Sequence, residues 1–261
     1  MLFMLVVSYA SAVTIAFIWL LLNRSTADLS LPDIDPPKNK DGKIAYRLVP
    51  EEAELPAGNI LRLGQTARYG NVEVTPLKVT RGPLEFVHYK DAKRTLPSSA
   101  PVLKLWLKFS NVSKDQAFAP IDKKLMYTQL PDRKNPGSLR SNNFLCRVEE
   151  KTRTGERVLV YPLSITSEFD VKGQQLEVDL APREIQPGEE MTTFIPSDSE
   201  NLSQLEGDLV WRVHIRKGHN PKSGRGVTTI VEVMFSSDDV QEESAGKITS
   251  RNEAMQTVVQ R

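Results

Sequence analysis

The feature that most constrains this chain is an uncharged, apolar run at its start. Residues 2–22 contain no Asp, Glu, Lys or Arg, and most of their side chains are aliphatic or aromatic. At a rise of about 1.5 Å per residue, a helix of this length crosses the roughly 30 Å of hydrocarbon in a bilayer. A helix buried in a protein core normally has a polar face, and this run has none. The sequence therefore predicts a transmembrane anchor over residues 1–23.

Cleavage and orientation of this anchor stay open. Ala10-Ser11-Ala12 is similar to a small-residue cleavage site, but no basic residue precedes the run and a second apolar stretch follows the site, which favours an uncleaved anchor. Arg24 follows the run and no Lys or Arg precedes it, which favours a cytoplasmic C-terminal side. Long domains, however, translocate largely regardless of flanking charge. By analogy with other sandwich domains on N-terminal stalks, we expect an extracytoplasmic domain.

The rest of the chain divides into three parts. Residues 24–58 are predicted to be a Pro-rich linker, because five prolines interrupt a charged stretch with few aromatic residues. Residues 237–261 are polar, with apolar positions too sparse for a stable helix, and are predicted to be a disordered tail. One folded domain is therefore expected between them, over residues 59–236.

Within this domain, apolar and polar residues alternate along short segments. In the clearest segment, 103–109, every second residue is Leu or Phe. Further strands are predicted at 72–79, 125–129, 144–149, 157–161, 176–180, 191–195, 209–216 and 227–235. No segment shows an apolar period of 3.6 residues, which disfavours a βαβ fold. Short alternating strands separated by Gly, Pro, Asn and Asp predict a mainly β fold, an antiparallel sandwich or barrel.

Three motifs then carry a resemblance to a known family. Leu63-Gly64-Gln65-Thr66 leads into a strand at 72–74, residues 105–113 form a hydrophobic strand ending in an Asn-containing turn, and Gln186-Pro187-Gly188-Glu189-Glu190 precedes a strand ending at Pro196. In this order they resemble bacterial membrane-anchored or lipoprotein domains of unknown function with a telokin-like, immunoglobulin-like β-sandwich. The resemblance covers residues 59–235.

This resemblance implies an enlarged antiparallel immunoglobulin-like β-sandwich behind an N-terminal transmembrane helix. A simple immunoglobulin domain has about 100 residues, so the excess length is expected in insertions at 83–101 and 131–143. The family implies an extracytoplasmic location and a binding or accessory role. It provides no catalytic residues.

Composition excludes several kinds of chemistry. Lys and Arg number 34 against 33 Asp and Glu, so bulk charge does not indicate a nucleic-acid partner. The single cysteine, Cys146, excludes a disulfide framework and multi-cysteine metal sites, and its alternation with Phe144 and Val148 predicts a buried thiol. His214 is expected on a solvated strand face. His214 and His219 could bind a metal ion only with a third ligand, and the sequence has none at a suitable spacing. We therefore predict no metal, no cofactor and no catalytic residue.

The strongest candidate for a binding surface combines two strands. The outward positions of 103–109 and of 211–216 carry mostly cationic side chains. If the two strands are neighbours, they form one basic stripe with an aromatic ring, suited to an anionic polymer or an anionic protein. The alternative is that a loop covers the ring and the cations only solubilise the sheet. The six candidate binding residues are Lys104, Trp106, Lys108, Arg212, His214 and Arg216.

These observations favour a non-catalytic binding or scaffolding domain at the cell envelope. Its expected partners are the membrane, through residues 2–22, and an envelope protein or an anionic polymer. One alternative is a hydrolase with an unrecognised site in the sandwich loops, for which Asp170, Glu177 and Asp179 are the only candidates and have the pattern of solvated strand faces. The other is a structural subunit of a membrane complex.

Overall fold

The computed structural model describes residues 13–15, 31, 48–91, 93–132, 135–151 and 157–243. Except for residues 13–15 and 31, the predicted anchor and the linker up to residue 47 lie outside these ranges, as does the predicted tail beyond residue 243. No helix within the described ranges has both the length and the apolar character needed to cross a bilayer.

The described residues are mainly β, as the alternating pattern predicts. The strands, in chain order, are β1 (Ile60–Arg62), β2 (Ala67–Tyr69), β3 (Val72–Gly82), β4 (Phe86–His88), β5 (Val102–Asn111), β6 (Leu130–Pro131), β7 (Leu139–Arg140), β8 (Phe144–Arg147), β9 (Val158–Leu159), β10 (Phe169–Val171), β11 (Glu177–Val178), β12 (Ala181–Pro182), β13 (Glu190–Pro196), β14 (Asp208–His219), β15 (Gly226–Ser236) and β16 (Val240–Glu242). A short helix, α1 (Lys123–Tyr127), follows β5. Single 3₁₀ turns lie at Ala57–Asn59, Val148–Glu150, Leu202–Gln204 and Ser237–Asp239.

Two five-stranded sheets make up most of the domain. The first sheet has the order β1-β15-β14-β8-β9, and the second has the order β13-β5-β3-β16, with β2 also paired to β3. The long central pairs β14–β15 and β3–β5 are antiparallel. Two edge pairings, β1 with β15 and β16 with β3, are parallel. The prediction of a purely antiparallel sandwich is therefore wrong at these two edges.

Both sheets contribute their inward faces to one apolar core, as in a β-sandwich. The inward positions predicted for β5 are all buried, and each such Leu or Phe side chain removed from water contributes roughly 1.5–3 kcal/mol. The largest buried side chains of the first sheet in this core include Trp211 and Leu145. A second, smaller apolar cluster around Phe86, Val171 and Phe194 covers part of the outer face of the second sheet.

Two predicted strands have a different structure. Residues 125–129 were expected to be extended, but α1 occupies Lys123–Tyr127 because Asp122 caps it, accepting a hydrogen bond from the Leu125 amide at 2.8 Å. Residues 176–180 were expected to be one strand, but β11 ends at Val178. Asp179 and Leu180 then adopt positive φ angles of 51° and 66°, which turn the chain into β12.

Both predicted domain boundaries move outward. Strand β16 and Glu243 belonged to the predicted tail, yet β16 pairs with β3, and Glu243 accepts hydrogen bonds from Thr80 and Lys104. At the other end, residues 48–58 belonged to the predicted linker. They pack against the first sheet, where the Val49 amide donates to Asn142 at 2.9 Å.

A buried ion pair fixes residues 48–53 against the outer face of the first sheet. Arg212 of β14 and Glu232 of β15 are opposite each other, and both are 1% exposed. The guanidinium of Arg212 donates to Glu232 at 2.7 Å and to the carbonyl oxygens of Pro50 and Ala53 at 2.8 Å each. The other Glu232 oxygen accepts from the Lys151 ammonium at 2.5 Å. Each buried charge is thus paired and hydrogen-bonded, which its burial requires.

Replacing Glu232 with Gln should therefore destabilise the domain strongly. The substitution leaves the Arg212 charge buried without its counter-charge, and breaking such a pair costs about 3–5 kcal/mol. Urea unfolding followed by tryptophan fluorescence measures the difference. The matched control is Glu242→Gln, which removes the partly exposed pair with Arg81 and should cost less than about 1 kcal/mol. Equal effects of the two substitutions would contradict the assignment.

Candidate binding cleft

The six residues predicted to form one basic stripe lie on two different sheets. Strand β5 is central in the second sheet and β14 is central in the first, so they are not neighbours. Their outward faces point away from the shared core in opposite directions, because the core lies between the sheets. The prediction of a single stripe is therefore wrong. Alternation within each strand was correct, but it carries no information about which strands pair.

On β5, Lys104 and Trp106 belong to a hydrogen-bonded cluster that the C-terminal segment completes. The Lys104 ammonium donates to Glu243 at 2.6 Å, and the Trp106 indole donates to the Thr80 hydroxyl at 3.0 Å. That hydroxyl in turn donates to Glu243 at 2.7 Å. The Trp106 ring packs against Phe194, with centroids 4.8 Å apart. These groups fasten β16 to the sheet and leave Trp106 half-buried.

The remaining cations of the predicted stripe are also paired. Lys108 donates to Glu190 at 3.0 Å on the second sheet. Arg216 donates to Asp122 at 2.9 Å, and thereby links β14 to the start of α1. Arg212 is the buried partner of Glu232 described above. Each of these cations therefore has a structural contact that accounts for its position.

His214 is buried rather than solvated, which corrects the sequence-based expectation. Its side chain lies near Asn142, with Nδ1 3.4 Å from the amide nitrogen. Burial lowers the pKa of the imidazole from 6.5 to about 4, and the nearby Arg216 charge adds to this, while Asp122 opposes it. His214 is therefore neutral at pH 7. The pattern missed this because Asn142 and Asn143, before β8, contact His214 on a face that alternation alone marks as open.

This buried imidazole should make stability depend on pH. Unfolding returns His214 to water, where its pKa is about 6.5, so between pH 6.5 and about 4 the unfolded chain binds more protons than the folded chain. The stabilisation is fully present above pH 6.5 and is lost as the pH falls towards 4, by about 3 kcal/mol in total. Urea unfolding at pH 7 and pH 4.5 should show a smaller drop for His214→Gln than for the wild type. Identical drops would contradict this account.

A cleft of about 650 Å³ lies at the β9 edge of the first sheet. Four separate stretches of chain form it: the segment before β1, the β6–β7 hairpin, β9 with the residues after it, and the turn after β13. The lining residues are Glu51, Glu52, Gln129, Asp132, Asn135, Gly137, Ser138, Leu139, Arg140, Arg157, Val158, Leu159, Pro162, Asp198, Glu200 and Asn201.

A carboxylate held by two guanidinium groups forms the inner wall of this cleft. Glu51 accepts from Arg157 at 2.6 Å through one oxygen and from Arg140 at 3.0 Å through the other. The Arg157 guanidinium also lies 4.8 Å from the centroid of the Phe144 ring. Because Glu51 lies before β1, this contact fixes the segment before β1 as one wall of the cleft. The two guanidinium groups are positioned by protein partners.

Carboxylate and amide side chains form the opposite rim. Asp132 accepts from Asn135 at 3.3 Å within the β6–β7 hairpin. Asp198 is held in place because its amide donates to the Leu159 carbonyl at 2.7 Å, and its carboxylate accepts from the Ser199 amide. Glu200 is exposed at the end of the same turn. Between these groups, Leu139 presents an exposed apolar side chain.

Sequence reasoning missed this cleft because its residues are scattered from position 51 to position 201. None of its segments has a recognisable motif, and Glu51 had been assigned to a linker. The one usable signal was the predicted insertion at 131–143, since long insertions in a sandwich often carry function. The hairpin of β6 and β7 overlaps that insertion.

The other residues considered for reactive or metal-binding side chains are part of the fold. Cys146 is buried on the outer face of the first sheet with Phe144 and Val210, as predicted, and burial raises the pKa of its thiol to about 11. Residues 220–225 join β14 to β15 as a hairpin loop. Among the residues that the structure describes, no group of three His, Cys, Asp or Glu side chains could hold a metal ion.

The carboxylates considered for a hydrolase are not on solvated strand faces. Asp170 and Glu177 both contact the ammonium of Lys123, at 2.5 and 2.8 Å. Asp179 lies in the turn between β11 and β12, apart from this contact.

The fold and the cleft define a mainly β domain with a polar groove at one sheet edge. No protein-family model and no curated protein matches the chain. Among solved structures, the chain is similar to the yjhA protein from Bacillus subtilis, with a TM-score of 0.35 and 11% sequence identity. The similarity covers 66% of this chain and 99% of the other. Likeness at this level carries no argument about function.

Proposed function

We propose that this chain is a membrane-anchored, non-catalytic binding domain whose ligand site is the cleft at the β9 edge. The observation that carries the proposal is the cleft itself. Its volume of about 650 Å³ lies within the range of ligand-binding clefts. Its lining combines an apolar contact surface with convergent polar groups, which is the usual composition of a recognition site.

The charges of the lining favour a cationic segment of another protein as the ligand. The described lining contains five carboxylates, from Glu51, Glu52, Asp132, Asp198 and Glu200, against two guanidinium groups. Both guanidinium groups already contact Glu51. Lys or Arg side chains of a partner would therefore meet carboxylates at the rim, while their methylene stems lie against Leu139 and Pro162.

This proposal replaces the anionic-polymer partner expected from the sequence. That expectation depended on the six-residue stripe, which the two sheets separate. The relation to bacterial membrane-anchored or lipoprotein domains, and the finer description of the domain as an immunoglobulin-like sandwich, stay part of the proposal. They rest on the three turn-and-strand motifs. An anchor over residues 2–22 would hold the cleft close to the membrane surface and its proteins.

Charge reversal at the rim should weaken binding of a cationic peptide. A fluorescently labelled tetralysine peptide, titrated into the full chain and followed by anisotropy, is expected to bind less tightly as salt is raised. Glu200→Lys should weaken binding about fivefold, the upper range for one exposed ion pair. The matched control is Glu206→Lys, which makes the same charge change at an exposed position outside the cleft lining. Equal weakening by both variants would refute a specific site.

The location of the domain has its own test. Protease added to intact cells should cleave an extracytoplasmic domain, whereas protease added to inverted membrane vesicles should leave it protected. Antibody detection of the 59–236 region after each treatment measures the outcome. The reverse pattern would place the domain in the cytoplasm, and release of the whole chain by a carbonate wash would refute the anchor.

A further inference from the structure

Lys123, Asp170 and Glu177 form a compact triad at the start of α1. Lys123 is the first residue of α1, Asp170 is in β10 and Glu177 begins β11. The Lys123 side chain is 7% exposed, and its Nζ lies 2.5 Å from Asp170 Oδ1 and 2.8 Å from Glu177 Oε2. The two carboxylates are 33% and 17% exposed. Three separate elements thus bring one amine and two carboxyl groups together.

This triad differs from the other lysine–carboxylate pairs of the described residues. Lys172 lies 2.6 Å from Glu85, but the two side chains are 64% and 58% exposed and no second carboxylate is recorded at the pair. Lys104 is buried and lies 2.6 Å from Glu243, again with a single carboxylate. Lys123 alone among the described lysines contacts two carboxylates. A reaction between the lysine amine and one carboxylate needs a nearby group that can transfer protons. The second carboxylate can be that group.

We propose that the Lys123 side chain forms an isopeptide bond with Asp170, and that Glu177 transfers the protons. Glu177 takes one proton from the ammonium, and the free Nζ then attacks Cγ of Asp170 to form the C–N bond. One Asp170 oxygen receives the proton from Glu177 and a second proton from Nζ. It leaves as water when its C–O bond breaks. One ammonium and one carboxylate give one amide and one water, Glu177 ends ionised as it began, and no oxidant or co-reactant is needed.

The geometry favours this reaction. An Nζ atom held 2.5 Å from a carboxylate oxygen is close to the neighbouring carbon, and reactants held in such contact react as one molecule with a very high effective concentration. A cavity of about 40 Å³ beside the three side chains has room for the departing water.

Before reaction, the triad is a salt bridge. Burial would lower the pKa of Lys123, but its hydrogen bonds to Asp170 and Glu177 outweigh burial and raise that pKa. The proton therefore starts on Nζ, and transfer to Glu177 opens the sequence. The bond would join α1 to β10 covalently and close a loop of chain between positions 123 and 170. This inference is independent of the cleft and of any ligand there.

Intact-mass measurement of the purified full chain tests the proposal directly. The wild type should be lighter than its sequence by one water, and digestion should release one branched product that contains both Lys123 and Asp170. Lys123→Arg should restore the full sequence mass. Asp170→Asn should still form the bond but lose ammonia instead of water. Glu177→Gln should leave most of the chain unreacted, with the folded state checked by its urea-unfolding transition.

Two outcomes would overturn the proposal. Wild-type chain at the full sequence mass after prolonged incubation at pH 7 would mean that the triad is a salt bridge only. A water loss that persists in Lys123→Arg would place the dehydration elsewhere in the chain. The exposed pair of Lys172 and Glu85 is the internal control, since the same digest should contain no product that joins them. Because the decisive measurement uses the wild type, a variant that fails to fold leaves the test intact.

Discussion

The buried pairing of Arg212 with Glu232 determines how the first sheet is covered. The inner face of that sheet is covered by the second sheet, but its outer face would expose a cluster around Phe144, Cys146 and Val210. The Arg212 guanidinium lies over the Phe144 ring at 5.0 Å, and it also binds the carbonyl groups of Pro50 and Ala53, which holds residues 48–53 against this face. Such a cation is tolerable only beside a counter-charge, and Glu232 provides it from the neighbouring strand.

Residues 48–53 also contribute to the cleft. Glu51 lies between Pro50 and Ala53, and the carbonyl oxygens of these two residues bind Arg212. The Glu51 carboxylate is therefore held in a fixed position where it binds Arg140 and Arg157. The wall of the cleft is thus set by contacts on the outer face of the sheet rather than by the hairpin loops alone. A change in the pair would be expected to alter the cleft as well as the stability of the fold.

Much of the fold could be predicted from the sequence, and little of the cleft. The long strands β5, β13, β14 and β15 follow from alternation, because each buries one face in a common core. The prediction of a strand at 125–129 was wrong because a helix of five residues is too short to show a helical period. The residue that caps this helix, Asp122, also lies outside the predicted segment. The binding residues were misplaced because alternation defines the faces of a strand but not its neighbours. The cleft depends on contacts between distant segments, which no local pattern records.

The position of residues 48–53 has a mechanical consequence. If the chain is tethered through its N-terminal part, any pull transmitted along the tether reaches Arg212 and Asn142 before it reaches β1. The load is then shared between the carbonyl groups of Pro50 and Ala53, which Arg212 of the central strand β14 holds, and the Val49 amide, which donates to Asn142 just before β8. A force applied at the membrane is therefore transmitted to β14 and to the residues before β8 instead of peeling the short edge strand β1 away.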